Sequence, residues 1–148
     1  MLVQKKAKKL ERIKEIREKL RDATRAKLNE AEDRKRVLLG QASDLGNKKE
    51  AALEIFRDVC WHGHTTTEEL WWIRDNIDSL EKEIGETEHL IDEVNKDMES
   101  IMADLIKKHG SVKLAEAFLE NSNKELRKQL LKDEQKELDE HALMIFRQ

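Results

Sequence analysis

Leu70, Ile73, Ile77, Leu80, Ile84, Thr87, Ile91, Val94, Met98, Ile101 and Leu105 follow one another at alternating steps of three and four, and Thr87 alone among them is polar. A repeat of 3.5 residues held over so many turns specifies a coiled-coil seam, because it keeps one narrow apolar stripe facing a partner helix. The first part of the chain carries the same rhythm less cleanly. Ile13, Ile16, Leu20 and Ala23 keep it, an interruption follows, and Leu38, Ala42, Leu45, Lys49, Ala52, Phe56 and Val59 take it up again. The interruption around Ala26 to Ala31 reads as a stutter that locally changes the supercoil. In the last third the steps widen, through Leu119, Ser122, Leu126, Leu130, Leu138, Ala142 and Ile145, which predicts a more open stripe.

One segment separates the two seams. Trp61, His62, Gly63, His64, Thr65, Thr66 and Thr67 combine a glycine with three poor helix formers, and Glu68 and Glu69 follow. Thr66 with Glu69, or Thr65 with Glu68, has the spacing of a capping box, and acids are favoured at the positive N-terminus of a helix. The expected fold is therefore all-α: an elongated antiparallel two-helix coiled-coil hairpin in a single domain spanning 1–148. Its first helix covers about 4–60, its turn about 61–67 and its second arm about 68–147. His109-Gly110-Ser111 is the place where that arm is expected to kink or break. At 1.5 Å per residue the first helix would measure roughly 85 Å, and the longer second arm would overhang it.

Composition narrows the class further. Among 148 residues there is no Pro or Tyr, 41% are charged and only six are aromatic, which leaves little for a sheet or a broad core. The lone Cys60 allows no internal disulfide, and no apolar run of about 18 residues or signal-peptide pattern occurs at the N-terminus, so a reducing cytosol is the expected compartment. The net charge of −3 hides an uneven distribution. Residues 1–36 hold 14 Lys or Arg against 7 acids, a balance of +7, and residues 68–104 hold 3 against 13, a balance of −10. In a hairpin the outermost basic residues stay free for a partner.

Candidate chemistry is sparse. Gly40-Gln41-Ala42-Ser43-Asp44-Leu45-Gly46-Asn47-Lys48 approaches a phosphate loop, but its glycines stand one residue too far apart and Asn fills the lysine position. Cys60, His62 and His64 offer three soft groups at the tip, and the simpler account of them is a polar turn with an idle thiol. His89, His109 and His141 are scattered. No acid and base pair stands out, so no catalytic, metal or cofactor residue is assigned. The basic run Lys5, Lys6, Lys8, Lys9, Arg12, Lys14 suggests nucleic acid or an acidic membrane, but Glu11, Glu15 and Glu18 interleave with it as ordinary i, i+4 pairs. Trp71 and Trp72 are unexpected on a solvated helix: adjacent side chains diverge by about 100°, and Leu70 and Ile73 already hold the seam. They either fold over Phe56 or Trp61 at the tip or stand out as an aromatic anchor for a partner.

The opening Leu10-Glu11-Arg12-Ile13-Lys14-Glu15-Ile16-Arg17-Glu18-Lys19-Leu20 and the closing Lys132-Asp133-Glu134-Gln135-Lys136-Glu137-Leu138-Asp139-Glu140-His141-Ala142 resemble a known family. The closing segment is similar to the charged Glu-x-x-x-x-Asp-Glu ending of the FliJ/YscO/HrpO group, the small stalk proteins of flagellar export and type III secretion. That resemblance implies a coiled coil like the central stalk of rotary ATPases. Its terminal end enters the hexameric secretion ATPase, the rest reaches toward the export gate protein at the inner membrane, and secretion chaperones are bound and recycled. Carried onto this chain, it makes Lys9, Arg12, Glu137, Asp139 and Glu140 the ATPase-facing residues. Leu80-Glu81-Lys82-Glu83-Ile84 matches a Leu-Glu-Lys-x-Ile stretch that follows an aromatic and aliphatic patch in flagellar members, which makes Trp71, Trp72, Leu80 and Ile84 the gate- or chaperone-facing set. The family's aromatic, however, falls near Asn76, and the two tryptophans lie a turn earlier.

The expected function is thus a non-enzymatic stalk and adaptor of a type III secretion system, cytoplasmic and peripheral to the inner membrane, a monomer or weak dimer that binds no nucleic acid and does not insert into the bilayer. The alternative is a structural coiled-coil scaffold unrelated to secretion, in which extended helices pair between two chains.

Overall fold

The computed structural model describes residues 2–63 and 66–147. Two helices account for nearly all of them: α1, Leu2–His62, and α2, Thr67–Arg147, packed against each other as a hairpin. Both ends of the connection are capped by local chemistry. Gly63 has φ +67°, the left-handed conformation that closes helices when no Cβ resists it, and its N–H donates to the carbonyl of Val59 at 3.3 Å. Thr66 then opens α2. Its hydroxyl accepts the Glu69 N–H at 3.2 Å and its carbonyl accepts the Leu70 N–H at 3.2 Å, while Glu68 and Glu69 lie in the first turn. The alternative box from Thr65, like the tip histidine His64, lies outside the described residues. Gly63→Ala should lower the unfolding free energy by about 1 kcal/mol, the cost of a left-handed alanine; urea titration checks it, and an unchanged midpoint would mean that this cap does not matter.

The packing resolves into two units, Ala26–Met102 and Met1–Arg25 with Ala103–Gln148. In the first, Leu28, Ala31, Leu38, Ala42, Leu45, Ala52, Phe56 and Val59 of α1 are buried or half-buried, as are Leu70, Ile73, Ile77, Leu80, Ile84, Thr87, Ile91, Val94, Met98 and Ile101 of α2. These are the seam residues the spacing predicts, extended by Leu28 and Ala31. Two polar members are accommodated. Thr87 donates to its own helix at the Glu83 carbonyl, 2.9 Å away, and Lys49 lays its stem along the seam to reach Glu81 at 3.4 Å.

The second unit corrects the sequence reading. Ile13, Ile16 and Leu20 are not in its seam; they are 40, 58 and 51% exposed. The buried or half-buried positions are Val3, Ala7, Leu10, Lys14, Arg17, Arg21 and Thr24 on α1. Counted by threes and fours, these continue into Leu28, Ala31, Lys35 and Leu38 without an insertion, so α1 contains no stutter. A stutter needs an extra three or four residues in the repeat, and the seam count here has none. The apolar residues simply stand one position ahead of it. Long cationic side chains can fill seam positions when their heads find partners. Arg17 Nη1 donates to the Ser111 carbonyl at 2.9 Å, and Lys108 Nζ donates to Thr24 Oγ1 at 2.8 Å while pairing with Asp104 at 3.0 Å.

On α2 the expected break at 109–111 does not occur. The helix runs through Gly110 at the usual cost of about 1 kcal/mol for an internal glycine. Lys108, Ser111, Val112 and Ala115 hold that turn against α1, with Val112 completely buried. Leu119, Ser122 and Leu126 finish the seam, and the buried Ser122 hydroxyl makes no hydrogen bond. Beyond Leu126 the same count meets Gln129, Asp133, Lys136 and Glu140, and every residue from 127 to 147 is exposed. The wide-step stripe Leu130, Leu138, Ala142, Ile145 is helical but unpartnered.

Candidate partner-binding surfaces

Leu70 and Ile73 occupy the seam at the start of α2, so the two residues between them are turned away from α1. Trp71 and Trp72 are 69 and 73% exposed and border a shallow hollow with Thr67, Glu68 and Asp75. Both rings are mostly in water, and Trp61, which they would have covered, is itself exposed. Two exposed indoles on one helix, with a carboxylate on either side, offer aromatic area of the kind that anchors protein contacts. Leu80 and Ile84 are half-buried seam residues further along α2, roughly 12 and 18 Å beyond Trp72 at 1.5 Å per residue, and Asn76 is exposed.

Lys9 and Arg12 lie exposed on α1. Glu137, Asp139 and Glu140 are exposed on the unpaired end of α2, where Asp139 accepts a hydrogen bond from Gln135 at 3.1 Å. No ion pair joins the basic and acidic sets among the described residues. Each set is available to a partner, and each is presented on helical backbone rather than on a loop.

A third surface joins Ile13, Ile16 and Leu20, which the spacing alone places in the seam, to two α2 residues that the spacing assigns to no stripe. On α1, Ile13, Ile16 and Leu20 each stand one position before a seam residue. On α2, Leu114 and Phe118, 51 and 49% exposed, do the same before Ala115 and Leu119. Antiparallel helices are related by a two-fold axis perpendicular to both, so such positions fall on the same flank. The other unit shows that relation directly: Val37, before Leu38, and Leu90, before Ile91, line one hollow. The signal that could have found this flank is the charge of Lys14, Arg17 and Arg21, reached when the secure count from Leu38 is carried back to the N-terminus.

Cys60 and His62 are exposed, and no group of three or more His, Cys, Asp or Glu that could hold a metal ion is found among the described residues. The segment from Gly40 to Lys48 lies within α1, so its backbone amides are engaged in the helix rather than arranged around a phosphate. Among the described residues no helix is long and apolar enough to cross a membrane. A family model described as "Flagellar FliJ protein" matches residues 5–148. No curated protein and no solved structure matches the chain significantly.

Proposed function

The chain belongs to the family of the flagellar FliJ protein, and from that premise we propose that it is a non-enzymatic stalk of a flagellar or type III export apparatus, which binds the hexameric export ATPase and couples it to the export gate and to secretion chaperones. The observation that carries this reading is the family match across residues 5–148 of a chain that forms a two-helix hairpin. The proposed work is mechanical. Lys9 and Arg12 on α1 and Glu137, Asp139 and Glu140 on α2 touch the ATPase subunits at the end that carries both termini. Charged side chains on stiff helices suit that task, since they recognise oppositely charged faces at low desolvation cost.

Trp71 and Trp72, near the turn, are the proposed contact for the gate or a chaperone, with Leu80 and Ile84 in the seam further along α2. No side chain makes or breaks a covalent bond in this scheme. The proposed location is the cytoplasmic side of the inner membrane, at the apparatus. Equilibrium binding of the full chain to the purified export ATPase tests the reading: Lys9→Glu/Arg12→Glu should weaken the complex, and Trp71→Ala/Trp72→Ala should leave it intact. Equal binding by all three proteins would remove the terminal end from the ATPase contact.

A further inference from the structure

One flank of the unit Ala26–Met102 is apolar along its floor and acidic along one wall. Val37 and Leu90, 60 and 46% exposed, stand on facing helices one position before the seam residues Leu38 and Ile91. With Leu38 and Val94 they floor a hollow of about 490 Å³. A second hollow, of about 370 Å³, continues from Leu90 over Leu45 and Thr87. A two-stranded coil needs only two apolar positions in each seven. A third one, added on the same flank of both helices, is the pattern of helices that pack against a further helix. The trough runs from Asp33 to Lys48 on α1 and from Glu83 to Asp97 on α2. That is roughly 20 Å at 1.5 Å per residue, the length of a four-turn helix.

The two walls differ in charge. The α1 wall carries Asp33, Arg34, Asp44 and Lys48 and is balanced, whereas the α2 wall carries Glu83, Glu86, Glu93 and Asp97 and no base. Asp33 pairs with Arg36 at 3.3 Å and Glu93 with His89 at 3.2 Å, both as exposed pairs of little strength. Glu83, Glu86 and Asp97 make no ion pair among the described residues. Counted over every position, residues 33–48 hold two acids and four bases and residues 83–97 hold six acids and one base, so acids lead by eight to five. Of those bases, Lys35 is in the seam, Arg36 is on the other flank, and Lys96 lies toward the back of α2 at 100° per residue. Such a wall repels phosphate-bearing partners, nucleic acid and anionic lipid alike. We propose that the trough docks an amphipathic helix of a partner protein, about four turns long, which lays an apolar stripe on Val37 and Leu90 and points a row of Lys or Arg at Glu83, Glu86, Glu93 and Asp97. The floor supplies the affinity. The acidic wall, facing a balanced one, sets the direction in which the helix lies.

The trough includes none of the residues that the stalk reading gives to a partner, so the proposal goes beyond that reading and does not depend on it. Fluorescence anisotropy of the full chain with a labelled four-turn probe peptide tests it. The probe has leucines spaced four, three and four apart, a lysine directly after each, and alanine or glutamine elsewhere. It should bind the wild-type chain, and more tightly than a scrambled peptide of the same composition. Val37→Ser/Leu90→Ser and, separately, Glu86→Lys/Asp97→Lys should each weaken binding about tenfold or more. Glu88→Lys/Asp92→Lys, the same change of charge on the other flank of α2, should weaken it less than about threefold, because those acids face away from the trough. All six side chains are exposed, so helicity by circular dichroism should not change. Equal weakening by the two charge pairs would overturn the proposal, since attraction to α2 as a whole would then account for the binding. So would a probe that binds the Val37→Ser/Leu90→Ser chain as tightly as the wild type, a scrambled peptide that binds as well as the probe, or no binding up to about millimolar concentration.

Discussion

Val112→Asp is expected to lower the unfolding free energy by about 3–5 kcal/mol, and Ile16→Asp by less than about 1 kcal/mol, although both replace a large aliphatic residue with a charge in the same unit. Val112 is completely buried in the seam beside Ala115, so an aspartate there would lose the valine's packing and put a carboxylate, stripped of water, into the helix interface. Ile16 is mostly in water already, one position ahead of the half-buried Arg17, and loses only a little burial and helix propensity. Urea unfolding followed by circular dichroism at low micromolar concentration gives both values. Equal losses would mean that the apolar residues, and not Lys14, Arg17 and Arg21, face α2.

The double substitution Trp71→Ala/Trp72→Ala is expected to leave the unfolding midpoint nearly unchanged and to weaken binding to the gate or chaperone partner by a factor on the order of 100. Truncating a buried aromatic anchor at an interface costs about 2 kcal/mol or more, roughly 30-fold, and two such losses on adjacent rings that fall short of additivity come to about a hundredfold. Stability is spared because both indoles are outside the seam. Isothermal titration of the cytoplasmic part of the export gate, and of candidate chaperones, distinguishes the two. Full-strength binding by the variant to every one of them would remove the tryptophans from the docking surface.

The legibility of this fold in its sequence varies along the chain for physical reasons. From Leu70 to Leu105 every seam position but Thr87 is aliphatic or Met, so hydrophobic spacing and helix phase coincide and the stripe reads off directly. From Leu38 to Val59 they coincide again, since Lys49 can lie along the seam by its stem. Near the N-terminus they part: apolar residues occupy the flank and cations the seam, and spacing of the apolar residues alone reports the wrong face. Helix phase decides such cases. α1 cannot rotate a stretch of its own side chains unless residues are inserted into the repeat.

His109-Gly110-Ser111 misleads for a related reason. A glycine inside a helix costs about 1 kcal/mol, less than the packing of Val112 and Ala115 on one turn returns. The turn itself was legible, because Gly63 and the Thr66–Glu69 pair act through their own backbone and need no distant partner. Of the partner surfaces, the tryptophans could be narrowed to two outcomes by their spacing of one residue, and only packing around Phe56 could choose between them. The flank of Ile13 and Phe118 could not be assembled without the pairing of α1 with α2, since its two halves lie about a hundred residues apart.

The stalk reading stands most directly on the end of the molecule that holds both termini. Steady-state turnover of the hexameric export ATPase, measured with increasing amounts of the full chain and of Glu137→Ala/Asp139→Ala/Glu140→Ala, tests that end. The wild-type chain is expected to bind and to change ATP turnover, and the triple variant, equally helical, to lose the effect. Turnover that is unmoved by the wild-type chain at high micromolar concentration would contradict the account and leave a coiled-coil protein without a role at the ATPase.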